Sequence, residues 1–265
     1  MRLTLPKRSG IWPFLALAVI VGAAVLFTPR MDLPPSYHHF ADQRVWLGIP
    51  HFGDVASNAV YLIAGLWGLA FLFRKSSLDQ FVDARERWPY LFVFLGLLLT
   101  AFGSAYYHLA PDNDRLVWDR VPMTIVFMPL VSALIAERVN VRLGLWLLPT
   151  LTAVGIGSVI HWHLSVERGA ADLRFFGAVQ VYAVLALIVA LLLPPRYSRG
   201  SDLLVVAGLY VLAKICELAD RQIFSIGHLV SGHTLKHLAS GVGGFWIVRM
   251  LQKRRPLAPV STAEA

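Results

Sequence analysis

The chain is poor in charge and almost without cysteine. Asp, Glu, Lys and Arg make up 15% of its 265 residues, against 57% hydrophobic, whereas soluble domains are about a quarter charged. That deficit excludes an ordinary soluble globular domain and points to a membrane protein. The single cysteine, Cys216, excludes an intramolecular disulfide and any thiolate-rich zinc site. Acidic residues are fewer than basic ones, 16 against 24, for a formal net charge of +8. The basic residues do not cluster as a groove for nucleic acid would require. They are dispersed over short segments between apolar runs, where a topology signal belongs, so nucleic acid is not expected as a partner.

What is present is a series of apolar windows long enough to cross a ~30 Å hydrocarbon core as helices. Eight are found: 11–28, 54–73, 88–108, 120–136, 143–163, 173–193, 202–223 and 233–251. Loops are short and no repeat or low-complexity tract stands out, so the expected fold class is all-α, a polytopic membrane helical bundle. The expected organisation is an N-terminal basic tail and anchor helix (1–30), a seven-helix core (31–252) and a cytoplasmic tail (253–265). Arg2, Lys7 and Arg8 ahead of the first run resemble a signal peptide, but Thr28-Pro29-Arg30 is a poor cleavage site, which favours an uncleaved anchor. With the N-terminus inside and strict alternation, fifteen Lys and Arg fall on inner segments and seven on outer ones. The positive-inside rule therefore favours both termini in the cytoplasm. The basic inner loops and the lack of a transit-like N-terminus suit a bacterial-type plasma membrane.

This orientation brings distant polar residues to one depth. Ser104 and His108 end the third window, Asp119 stands at the mouth of the fourth, and His233 and His237 open the last. All face the outer side. Two histidines four apart on a helix share one face about 6 Å along its axis, and His108 supplies a natural third ligand. Three histidines plus a water make an open tetrahedral zinc site that lowers the pKa of the water. Asp119 is then placed to take a proton from that water, and Ser104 to hydrogen-bond the water or a developing oxyanion. Each piece has a bland competing explanation. Helical histidine pairs often simply pack, a membrane serine usually bonds a backbone carbonyl, and Asp119 would serve as an N-cap. Their joint occurrence at one depth favours a functional site, because intramembrane ionisable groups are costly.

The spacing Ser104-Ala-Tyr-Tyr-His108, then Trp118-Asp119-Arg120-Val121-Pro122-Met123, then His233-x-x-x-His237 resembles the alkaline ceramidases. These belong to the seven-helix hydrolase superfamily that also holds adiponectin receptors and hemolysin III-like proteins. Ser57-Asn58 in the first core helix matches too, and the likeness covers roughly residues 50–251. It implies an intramembrane zinc amidase that hydrolyses an N-acyl sphingoid lipid to fatty acid and long-chain base. His108, His233 and His237 would hold Zn2+, with Asp119 activating water and Ser104 assisting. A departure concerns calcium. The glutamate that leads the family's "E-F-x-N-T-x-S-N" stretch is His51 here, and only Asp32 and Asp42 offer carboxylates upstream, so a calcium site is not expected.

Other polar residues have plainer expectations. Lys214, Glu217 and Asp220 share a helical stripe that suits an ion pair or, for the acids, a substrate headgroup contact. Lys236 lies on a different face from the histidines and is expected to snorkel outward or to approach an anionic lipid group. His161-Trp162-His163 suggests an interfacial Trp with flanking polar rings. His38, His39 and His51 could gather at an entrance. Gly241, Gly243 and Gly244 look like close-packing positions. A second functional class stays open, a lipid-responsive receptor or pore-forming protein with a structural zinc. A metal transporter is weaker still, since acidic groups at successive depths are missing. A membrane lipid is the expected partner, and the sequence leaves the oligomeric state open.

Overall fold

The computed structural model describes residues 9–257. Among them the fold is all-α, with no strand and two isolated bridges, Trp46↔Ile49 and Tyr197↔Pro256. The helices are α1 (Trp12–Phe27), α2 (Phe52–Ala56), α3 (Ala59–Leu72), α4 (Arg87–Leu109), α5 (Asn113–Arg138), α6 (Val141–Glu167), α7 (Arg174–Leu192), α8 (Asp202–Leu218), α9 (Asp220–Ser225) and α10 (Gly232–Lys253). Five stretches are long and apolar enough to cross a membrane: Phe52–Leu72, Ala84–Leu109, Asn113–Arg138, Val141–Glu167 and Arg174–Leu192. The remaining three expected spans are also helical, but they fall short for physical reasons. Helix α1 has only 16 residues. Helix α8 ends at Leu218, with Ala219 between it and α9. Helix α10 is long enough at 22 residues but carries His233, Lys236 and His237, which lower its hydropathy.

Local chemistry starts the helices that carry the site. The Asp112 carboxylate caps α5 by accepting from the Arg115 N–H at 2.7 Å, and Ser231 caps α10 by accepting from the Thr234 N–H at 2.9 Å. Helix α5 therefore begins well before the expected window at 120, and Asp119 is six residues inside it. Its N-cap explanation is thereby excluded. Helices α4 and α5 form an antiparallel hairpin in unusually close contact at Gly103, where a Cβ would run into the Trp118 carbonyl oxygen. Pro122, four residues on, has no N–H to give that carbonyl. The exposed backbone acceptor and the missing side chain let the two helices meet beside Ser104 and Asp119.

The main core lies between α3, α4, α5, α7 and α10 and includes Phe94, Leu134, Val248 and Leu251. A smaller cluster around Phe40, Tyr107, Trp162 and Phe176 closes the end nearer the histidines. Trp162 there is fully buried, not interfacial as expected from sequence. Its ring lies 4.3 Å from the Arg120 guanidinium carbon, which Tyr37 and Phe176 also cover. Arg120, at the start of the fourth apolar window, is thus a buried cation held by aromatic faces. The opposite end is closed by a polar lock. The Arg254 guanidinium donates to Glu137, and the Tyr197 hydroxyl donates to Glu86. Helix α1 stands aside from the site, tied to α7 by Arg174 bonds to the Val25 and Thr28 carbonyls.

Candidate metal centre and adjoining cavity

His108 reaches the site from the last turn of α4, and His233 and His237 from the first two turns of α10. All three are buried, and one nitrogen of each lies within 4.8 Å of the others. The Nε2 atoms of His108 and His233 are 3.2 Å apart. Two imidazole nitrogens on a tetrahedral zinc stand about 3.3 Å apart, given zinc–nitrogen bonds near 2.05 Å. The arrangement therefore fits the ion without moving these two ligands.

The third ligand is oriented by a short relay. Ser57 Oγ donates to the Asp54 carbonyl at 3.1 Å and lies 2.8 Å from His237 Nδ1. With its hydrogen committed to the carbonyl, the serine oxygen accepts from Nδ1–H, which leaves the His237 Nε2 lone pair free for a metal. The donor set is thus three neutral imidazoles with at least one tautomer fixed from behind. Asp54 also anchors α10 itself, since its Oδ1 accepts from Ser231 Oγ at 3.0 Å and Thr234 Oγ1 at 2.8 Å. Phe40 covers the site, its ring 4.6 Å from that of His108 and 4.5 Å from that of His233. Sequence reasoning noted Ser57 only through a family likeness and missed Phe40, because nothing in linear spacing joins the loop before α2 to α10.

Ser104 and Asp119 are both buried, and with His237 they line one cavity. Among the described residues Ser104 Oγ has no hydrogen-bond partner, so the competing explanation, a bond to a backbone carbonyl, does not hold. A buried hydroxyl left unpaired costs free energy and is available to a ligand. The cavity holds about 920 Å³ of empty space, mouth included. It runs between α4, α5, α8 and α10, polar at one end and apolar at the other. Along α5 its wall passes from Asp119 to Leu130, and along α10 from Lys236 to Ile247, about 16 Å of helix in each case. Gly243 and Gly244 both line it; an added Cβ at Gly243 would meet no neighbour, whereas at Gly241 and Gly244 it would meet Val60 and Leu97.

Two sequence expectations about charged residues are corrected here. Lys236 does not snorkel outward. Its side chain is only 12% exposed, its Nζ donates to Glu217 Oε1 at 2.7 Å, and it stands 3.4 Å from His233 Nε2. Asp220 does not share the α8 stripe with Lys214 and Glu217, because α8 ends at Leu218 and Asp220 opens α9. Its oxygens accept the backbone N–H groups of Ala41 and His233, at 2.9 and 2.8 Å. The Lys214–Glu217 pair forms as expected, at 2.7 Å.

The loop ahead of α2 is held by an arginine. Arg44 forks onto both oxygens of Asp42, at 2.8 and 2.7 Å, and donates to the carbonyls of His228 and Leu229. These hydrogen bonds hold the Asp42 carboxyl below its ordinary value of 3.8. Asp42, one of the two carboxylates weighed for calcium, thus has both oxygens engaged by a guanidinium. His51 donates from Nδ1 to the Asp42 carbonyl. His38 instead meets the Tyr107 hydroxyl and Asn113 Oδ1, at 2.9 and 3.0 Å.

No family model matches the chain, and no curated protein matches it.

Proposed function

We propose that this protein is an intramembrane zinc-dependent amidase that cleaves an N-acyl lipid, with the N-acyl sphingoid class as the substrate implied by the likeness to alkaline ceramidases. The observation that carries the proposal is the junction of two features, a three-histidine centre and an apolar slot with Ser104 and Asp119 on its wall. His108, His233 and His237 would hold the ion, and a zinc there supplies a Lewis acid and lowers the pKa of water where bulk water is scarce. Asp119 takes a proton from the attacking water and returns it to the leaving nitrogen. Ser104 donates its unpaired hydroxyl to the carbonyl oxygen as charge develops there. The water oxygen joins the carbonyl carbon, the C–N bond breaks, and the products are a fatty acid and an amine. The acyl chain lies along the apolar wall toward Leu130 and Ile247.

The donor set also bears on the competing class, a receptor or pore-forming protein with a structural zinc. Structural zinc sites are usually closed by four protein ligands, and the group found among the described residues holds three. The eight-span topology, with cytoplasmic termini and the site near the outer face of a bacterial-type plasma membrane, belongs to the same proposal and rests on the distribution of Lys and Arg. The direct test is incubation of the purified protein with a membrane lipid extract, followed by mass spectrometry. Zinc-dependent release of paired fatty acid and amine is expected; an unchanged extract overturns the proposal.

A further inference from the structure

At the polar end of the cavity two ammonium groups share a single carboxylate. Glu217 gives one oxygen to Lys214 and the other to Lys236, each at 2.7 Å. One carboxylate thus serves two ammonium groups, and both of its oxygens are taken. An ammonium has three N–H donors, and among the described residues Lys214 Nζ uses one. Lys236 Nζ uses one on Glu217 and stands beside His233. Ser104 adds an unpartnered hydroxyl. Asp119 is the other carboxylate on the wall, and the amidase reading gives it to the attacking water. With Asp119 the wall is formally balanced, but each ammonium keeps N–H donors that no oxygen of the described residues takes, and an acidic head would accept them in charge-assisted hydrogen bonds.

The positions order a substrate along the wall. Lys236 precedes His237 on α10, while Lys214 and Glu217 stand one turn apart on α8, with the Lys214 side chain 42% exposed at the rim. An amide placed at the histidines would put the amine half of the molecule toward α8. We infer that the cavity selects N-acyl lipids whose amine half bears an acidic group, a carboxylate or a phosphate, close to the amide. This rests on the amidase reading for the cleavage and narrows its substrate from N-acyl amines in general, neutral sphingoids included, to those with an acidic amine half; the selection by charge stands or falls separately. The reaction is amide plus water giving fatty acid plus an acidic amine, with no further reactant.

Matched pairs with one acyl chain test it: N-palmitoylglycine against its methyl ester, and N-palmitoyl phosphoethanolamine against N-palmitoylethanolamine. Binding to the full-length protein in nanodiscs and turnover are both read. The acidic member of at least one pair should bind about tenfold tighter or more, the range for hydrogen bonds to a charged group, and the winning pair says whether carboxylate or phosphate is preferred. Lys214→Met should bring that ratio toward one. Equal binding within both pairs overturns the inference, and so does a ratio untouched by Lys214→Met. If that variant fails to fold, the two pairs on the unaltered protein decide alone. Charge-selective binding without turnover would sink the amidase reading and keep this one, whereas turnover without selectivity would do the reverse.

Discussion

Ser57 Oγ lies 2.8 Å from Nδ1 of His237, across 180 residues of sequence. The serine comes from the short turn between α2 and α3, and the histidine from the second turn of α10. This contact fixes which nitrogen of His237 faces the other two imidazoles. Ser57→Ala should lower zinc affinity by about 10- to 100-fold, the usual effect of removing such a partner, while leaving the fold intact. Competition with a chelator measures it; unchanged affinity would mean that the serine does not orient the ring.

Metal and proton transfer should separate by mutation. His237→Ala is expected to lose the single equivalent of zinc, read by elemental analysis of the purified protein. Asp119→Asn should keep the zinc and lose turnover by about 10²- to 10⁴-fold, the usual contribution of a general base. Full zinc in His237→Ala would move the metal site elsewhere. Undiminished turnover in Asp119→Asn would remove Asp119 as the base.

Gly103 predicts a steric cost. Alanine there collides with the Trp118 carbonyl, a backbone atom that cannot rotate away, so α4 and α5 must part. A loss of about 1–3 kcal/mol is expected for such overpacking, seen as a lowered Tm in detergent. Turnover should fall with it, because Ser104 and Asp119 sit on the two helices being separated. Wild-type stability in Gly103→Ala would show that the two helices separate there at little cost.

The Arg44 fork predicts a pH dependence. The Asp42 carboxyl is depressed in the folded protein by hydrogen bonds from Arg44, so the stabilisation is present above the ordinary value of 3.8. It is lost as pH falls through the lower, folded value. Arg44→Met should therefore lower Tm by a constant amount above about pH 5, and the gap to wild type should close in strong acid. A gap that persists there would assign the effect to the carbonyls of His228 and Leu229 instead. Chelating calcium should leave the wild-type Tm unchanged, since a guanidinium already occupies the Asp42 oxygens.

Much of the architecture was legible because a bilayer enforces a simple rule. Backbone groups must be satisfied within each crossing segment, so apolar length alone located α3 to α7 to within a few residues, apart from the start of α5. The same hydropathy rule counted α8 and α10 as full spans, but α8 stops at Leu218 and α10 carries His233, Lys236 and His237. Helix spacing placed His233 and His237 on one face, and a shared depth singled out His108, Ser104 and Asp119.

Only the tertiary structure decided what surrounds these residues. Lys236 reads from sequence as a lipid-facing cation, but its direction is set by Glu217 on α8, and a one-residue break at Ala219 takes Asp220 out of that stripe. The Ser57 relay, the Phe40 lid and the Arg44 fork all join segments far apart in the chain, and no local periodicity encodes such pairings. The sequence by itself determined which elements form and which polar groups lie at one depth, because hydropathy and helical period are local properties. Which of those groups touch depends on helix rotation and close approach, set by details such as one missing side chain at Gly103.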